Sequence, residues 1–183
     1  MALLHRATLT PTKLELLQAW VPRQDWCPPL AGPLVMIGGY RFDDPDDEVG
    51  IETLLATDRT GLVVQVPLTY RGAPLDGAEE ALVTTMQHSV LGERWVYDGT
   101  RDPVAVAALT AAIEEGQPGA VEVIEVDQMI QAREPSVRVA GSGEPLDGTP
   151  RVHHVLEAAQ SADGAVLTGT WEGQDEPVVL VST

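Results

Sequence analysis

Residues 65–99 read QVPLTYRGAPLDGAEEALVTTMQHSVLGERWVYDG, and this stretch decides the fold class. Its first part completes the run Leu62-Val63-Val64-Gln65-Val66-Pro67-Leu68-Thr69-Tyr70, which is β-branched and apolar and closes on the turn formers Gly72, Pro74, Asp76 and Gly77. Branched and aromatic side chains suit a pleated surface, so the run reads as a strand. Pro67 has no N–H to give to a ladder, which predicts an edge or a bulge at that position. Further on, Thr84 to Leu91 and Arg94 to Tyr97 are expected to pair across Gly92-Glu93 as a hairpin.

Outward from this stretch the elements alternate in a pattern of helix and antiparallel strands. Residues Thr8 to Val21 predict a first helix, with Thr10 able to cap, Pro11 at the first helical position, and Glu15 three after Thr12 as in a capping box. Leu14, Leu17 and Val21, with Trp20 beside them, form its apolar face, and Pro22 ends it. Leu34 to Phe42 reads as a strand with Gly38-Gly39 marking a bulge or a close backbone approach. Val49 to Thr57 is the next strand, turned back by Asp58-Arg59-Thr60-Gly61. Beyond the hairpin, Asp102-Pro103 places a cap directly before a first-position proline, so a helix is expected from Pro103 to Glu115, stopped by Gly116.

Gln117-Pro118-Gly119 then punctuates the chain, and helix formers become sparse. Two units are expected, 1–117 and 118–183. In the second, Ala120 to Val126, Ser136 to Ala140, Val152 to Ala159, Ala165 to Trp171 and Pro177 to Val181 are candidate strands. The last three are expected to form one antiparallel meander, because their apolar residues alternate and Gly-containing turns separate them. The overall class is α+β: an antiparallel sheet with a helix packed across it, followed by a β-rich meander.

Charge and composition exclude several functions. With 28 Asp and Glu against 11 Lys and Arg, the net charge is −17, and a nucleic-acid backbone or an anionic membrane would be repelled. The single cysteine, Cys27, leaves no disulfide framework and no multi-thiolate zinc site. No run reaches the ~18 apolar residues of a membrane span, and the N-terminus is too polar for a signal segment, so a cytoplasmic location is expected.

Three segments, QVPLTYRGAPL, HSVLGERWVYDG and DPVAVAALTAAI, resemble the N-terminal cap of actinobacterial maltokinases and related aminosugar kinases, over roughly Leu4 to Gly116. The resemblance implies a cystatin-like cap, with a helix across an antiparallel sheet, and a link to trehalose, maltose or glycogen metabolism. It also implies that residues 118–183 stand where the β subdomain of the kinase N-lobe would begin, with no length left for the catalytic lobe. A cap is not the catalytic part of such kinases.

Residue by residue, the chemistry of phosphoryl transfer is sparse. The sole Gly-rich candidate for a phosphate loop is Ala140-Gly141-Ser142-Gly143-Glu144, and a nucleotide site of this class also needs a strand lysine. Pro177 to Val181 has none, and Lys13 is the only lysine of the chain. Arg138 and Arg151 are not conservative replacements for it. His153 and His154 are adjacent, as are His88 and Ser89, so on strands they point to opposite faces and form neither a metal site nor a nucleophile and base pair. Asp43-Asp44-Pro45-Asp46-Asp47-Glu48 holds five carboxylates in six residues. The spacing of a calcium loop is absent, which predicts an exposed acidic turn.

The expectation is therefore a non-catalytic accessory protein without cofactor, acting through a protein partner or as a homo-oligomer. A surface carrying Pro67, Tyr70 and Arg71 is the expected open edge, and Trp95 and Tyr97 with Tyr70 and Arg71 are the candidate sugar or sugar-phosphate face. A cap or accessory subunit for a kinase lobe on another chain is the alternative.

Overall fold

The computed structural model describes residues 2–4, 7–126, 129–157 and 163–183. Among these residues two α-helices and fourteen strands, with three short 3-10 turns between them, follow in the order β1 (Ala2–Leu4), β2 (Leu9–Thr10), α1 (Lys13–Trp20), β3 (Val35–Phe42), β4 (Gly50–Thr57), β5 (Val63–Arg71), β6 (Leu82–His88), β7 (Gly92–Asp98) and α2 (Pro103–Glu114). The chain continues through β8 (Glu122–Val126), β9 (Met129–Arg133), β10 (Val137–Gly141), β11 (Arg151–Val152), β12 (Val155–Leu156), β13 (Leu167–Trp171) and β14 (Gln174–Ser182). The fold is α+β and mostly antiparallel.

The main sheet has the order β2-β6-β7-β5-β4-β3, with β12 added beside β5. Helix α1 covers one face through Leu16 and Leu17, which with Val21 just beyond it pack with Leu54, Val64, Val66, Leu68, Met86 and Val96. The other face packs against α2 and a second sheet, β10-β13-β14-β11, in one buried cluster that includes Tyr40, Leu55, Leu109, Ile113, Val139, Leu167 and Leu180. The change of composition near residue 118 thus marks no division of the core, which draws on both sides of it. A third sheet joins β8 and β9 as a hairpin, with β1 parallel to β8.

The first helix starts later than its sequence suggests. Leu9–Thr10 is drawn into the sheet opposite His88 and Gln87, and Thr12 is the N-cap, in a capping box with Glu15. The second helix starts at Asp102-Pro103 as expected, with the Asp102 side chain accepting from the Val104 amide. In β3 the register slips between Met36 and Gly38. A Cβ on Gly39 would fall 2.6 Å from the Thr53 carbonyl, so the paired glycines permit a close strand approach.

Two strand expectations are corrected. Strand β5 is interior: β4 pairs along one side, and β7 and β12 share the other. Pro67 falls at the changeover between those two partners, where no N–H is needed. Gly99 lies against it there, and a Cβ on Gly99 would sit 3.0 Å from the proline Cβ. The run Val152 to Ala159 does not form one strand of a meander. Its first residue continues β11, which pairs β14, whereas Val155–Leu156 crosses to β5; Ala158 and Ala159, and Ser161-Ala162 of the following turn, lie outside the described residues. Buried Gln65 accounts for the crossing. Its amide N–H donates to the His154 carbonyl at 2.9 Å, its side chain donates to the carbonyls of His153 and Leu180 at 2.9 and 2.6 Å, and the Tyr40 hydroxyl donates to it at 3.2 Å.

Candidate functional site

Side chains alternate across a strand, so register decides which charged groups meet. Arg41 is opposite Glu52, Glu52 opposite Leu68, Gly50 opposite Tyr70, Tyr70 opposite Val96, and Arg94 opposite Met86. Arg41, Glu52, Tyr70 and Arg94 therefore come from four different strands to one end of the α1 face. Lys13, the first residue of α1, closes over them.

Glu52 is the centre of this group and is 6% exposed. Lys13 Nζ lies 2.7 Å from each of its carboxylate oxygens, Arg41 Nε donates at 3.2 Å, and the Tyr70 hydroxyl donates at 3.0 Å. Burial by itself would raise the Glu52 pKa, but the Arg41 and Lys13 charges outweigh it and hold the carboxyl at about 2, against an ordinary value of 4.5. The Tyr70 hydroxyl is pushed well above its ordinary value, by burial first and by the Glu52 charge second, so it remains a donor.

A cavity of about 510 Å³ opens above these groups. Lys13, Arg41, Tyr70 and Arg94 line it, as do Asp43, Asp44, Asp47 and Glu48 of the β3–β4 turn. The acidic turn is organised by Asp44, whose carboxylate accepts from the amides of Asp46, Glu48 and Val49. Among the described residues no group of three or more His, Cys, Asp or Glu side chains is arranged to hold a metal ion.

The folded carboxyl of Glu52 titrates below its unfolded value, so its stabilising contribution is complete above about pH 4.5 and is lost as pH falls toward about 2. A shift of this size corresponds to about 3 kcal/mol. We expect Glu52→Gln to remove that part of the acid dependence and to lower stability at pH 7, leaving two cations on a neutral amide. Urea unfolding of both proteins from pH 7 to pH 3 checks this, and parallel stability curves would contradict it.

The residues expected to share one binding face are split by the pleat. Tyr70 faces the cavity, whereas Arg71, Trp95 and Tyr97 lie on the opposite side of the same strands. Arg71 clamps Asp102 through Nε and Nη2, each at 2.7 Å, and Thr69 Oγ1 donates to the same carboxylate at 2.6 Å. Tyr97 is 2% exposed, and its hydroxyl accepts from the Leu75 amide at 2.8 Å. Pro67 is buried too. The open edge expected at Pro67, Tyr70 and Arg71 is replaced by an interior strand, and a joint aromatic platform by two separate sets of contacts.

The histidines are engaged separately as well. His153 Nε2 lies 2.9 Å from Ser182 Oγ. His154 stacks on Trp26 with ring centroids 4.2 Å apart, and its Nδ1 lies 3.1 Å from the Gln65 carbonyl oxygen, which fixes it as the donor. The His88 Nδ1 accepts from the Val90 and Leu91 amides and braces the hairpin tip.

The loop 140–144 is spent on the protein itself. The Ser142 amide donates to Val166 O at 2.9 Å and the Gly143 amide to Ile113 O at 2.8 Å. A Cβ on Gly141 would fall 1.9 Å from the Ala112 carbonyl oxygen, so glycine is there to let the loop rest on the end of α2. A phosphate cradle needs such amides directed at a ligand. These two amides point elsewhere.

Among the described residues no helix is long and apolar enough to cross a membrane. No curated protein matches the chain. Residues 20–102, which run from the end of α1 through β7 to the cap of α2, match the family model of the maltokinase N-terminal cap domain. That segment holds the interior strands of the main sheet and most of the cavity wall, and over it the chain is similar to the maltokinase N-terminal cap domain.

Proposed function

We propose that this protein is a non-catalytic cap-type module that acts by binding, in carbohydrate metabolism, with another protein or a second copy of itself as partner. The observation that carries the reading is the state of the kinase-like parts: the Ser142 and Gly143 amides are consumed by Val166 and Ile113, and the sole lysine is committed to Glu52. Phosphoryl transfer depends on a Gly-rich cradle, on cationic charge at the phosphates and on bound metal. Strand β14, where a phosphate-neutralising lysine would stand, instead buries Val178, Val179, Leu180 and Val181 in the core.

The test is a coupled kinase assay of the purified chain with maltose, glucose and glucosamine as acceptors. We expect no turnover with any of the three. Turnover that survives repurification would overturn the reading, and turnover that appears only when a second protein is added would favour an accessory subunit whose catalytic lobe lies on the other chain.

A further inference from the structure

We propose that a second cavity, where the β3 edge of the main sheet meets the β13–β14 hairpin, binds an alkylguanidinium group against Trp171, Glu172 and Asp175. The proposal goes beyond the cap reading and does not depend on it, because Trp171 and both carboxylates lie outside the matched segment 20–102. The cavity holds about 360 Å³, and its lining includes Ile37, Ser136, Arg138, Trp171, Glu172 and Asp175. Small-molecule sites typically measure roughly 300–1,000 Å³.

Two irregular strands build it. In β3 the register steps from Met36 opposite Ala56 to Gly38 opposite Leu55, which leaves Ile37 without a partner in β4. In β14 it steps from Val178 opposite Gly169 to Gln174 opposite Trp171, so Asp175, Glu176 and Pro177 stand against Thr170 alone. Such irregularities interrupt the ladder and re-aim side chains. Here each delivers a residue to the same cavity, Ile37 in one case and Asp175 in the other. The walls are fixed in place. Ser136, just before β10, ties itself to β3 by donating to the Gly39 carbonyl at 3.2 Å and accepting from the Gly39 amide at 3.0 Å. Gln174 braces the β14 irregularity by donating to the Glu176 carbonyl at 2.7 Å. Trp171 packs against the core and stays partly exposed.

The charge of the site is predominantly negative. Among the described residues Arg138 is the only cation that lines the cavity, and its Nη2 donates to Glu134 at 2.9 Å. Glu172 and Asp175 take no hydrogen bond or ion pair from any described residue, so three carboxylates stand against one guanidinium. An incoming cation therefore meets two uncommitted carboxylates and an indole, the aromatic group that attracts cations most strongly. A guanidinium fits this set better than an ammonium, since it is planar, stacks on aromatic rings and gives two parallel bonds to a carboxylate. Ile37 offers apolar contact to the alkyl chain. An anion meets the same carboxylates and a net charge of −17, and is repelled. Both carboxylates are exposed, so salt should weaken the attraction.

The experiment is a titration of the ¹⁵N-labelled full chain at low ionic strength with butylguanidinium, with butylammonium, n-butanol and butanoate as controls of similar shape. We expect saturable shifts of the Trp171 indole N–H and of the Glu172 and Asp175 amides, with butylammonium about threefold weaker and no saturation by the neutral and anionic controls. Glu172→Gln combined with Asp175→Asn should weaken binding by about tenfold. Neither side chain has a partner among the described residues, so the melting curve of that double variant should match the parent and separate ligand loss from unfolding. Arg138→Gln should tighten binding, because it removes the opposing charge. The tripeptide Val-Arg-Val, blocked at both ends, distinguishes the two sources of the group. Tighter binding than butylguanidinium supports the site with an arginine of a partner chain as its occupant, and weaker binding supports it with a free guanidino compound. The proposal is overturned if butylguanidinium does not saturate by about 10 mM, if any of the three controls binds as well, if the double variant leaves the affinity unchanged, or if Arg138→Gln weakens it.

Discussion

Replacing Asp102 by alanine is expected to destabilise the protein by about 3–5 kcal/mol, the range for breaking a buried ion pair from one side. Asp102 is 0% exposed and takes four bonds: two from Arg71, one from Thr69, and one from the Val104 amide as the cap of α2. Burial would raise its pKa, but the hydrogen bonds from Arg71, Thr69 and Val104 together lower it, so the carboxylate is ionised in the fold. Alanine leaves the largely buried Arg71 guanidinium without its carboxylate and the helix start without its acceptor, a loss of about 1 kcal/mol in its own right. Asp102→Asn keeps a capping oxygen and should fall between the two. The urea midpoint reports the difference, and a loss below about 1 kcal/mol in alanine would show that Arg71 finds another partner.

Gln65→Leu is the second substitution with a large expected effect, about 2–4 kcal/mol. Leucine keeps most of the volume of a side chain that is 0% exposed, so packing changes little. What is lost is the donor to His153 O and the acceptor for Tyr40 Oη. A buried polar group left without a partner costs about 1–3 kcal/mol. Leu180 O retains a bond from the His153 amide at 2.9 Å, so it is not orphaned. Because Gln65 ties β5 to β12 and β14, the variant should also loosen the strand crossing. Hydrogen exchange at the amides of Gln65 and His153 should accelerate more than exchange within β4. Equal acceleration throughout would mean that the knot is no more local than the rest of the core.

The features legible in the sequence were those set by neighbours in the chain. Asp102-Pro103 announces a helix because cap and first-turn proline are local requirements, and Gly38-Gly39 announces an irregular strand because only the backbone there must come close. The hairpin β6–β7 follows from two extended runs around Gly92. Pro67 misled because the second partner of β5 comes from His154 and Val155, far along the chain, and leaves a gap in the ladder where the proline sits. Tyr70 shares no face with Trp95 and Tyr97, because register places Tyr70 opposite Val96 and Thr69 opposite Tyr97. A single step of register reverses every face, and nothing within the strands fixes that step. The cavity residues did leave a trace. Glu52 interrupts the otherwise apolar and β-branched segment Gly50–Thr57, and a carboxylate there requires a cation above it. The only lysine of the chain, at the start of α1, is that cation.

We propose that this chain binds without transferring phosphate. Isothermal titration of the 183-residue chain with MgATP tests it most directly, because nucleotide binding precedes any phosphoryl chemistry. With the Ser142 and Gly143 amides occupied, Lys13 held by Glu52, and a net charge of −17 opposing a polyanion, the account predicts no heat of binding beyond dilution at millimolar nucleotide. A saturable isotherm with micromolar affinity would contradict it.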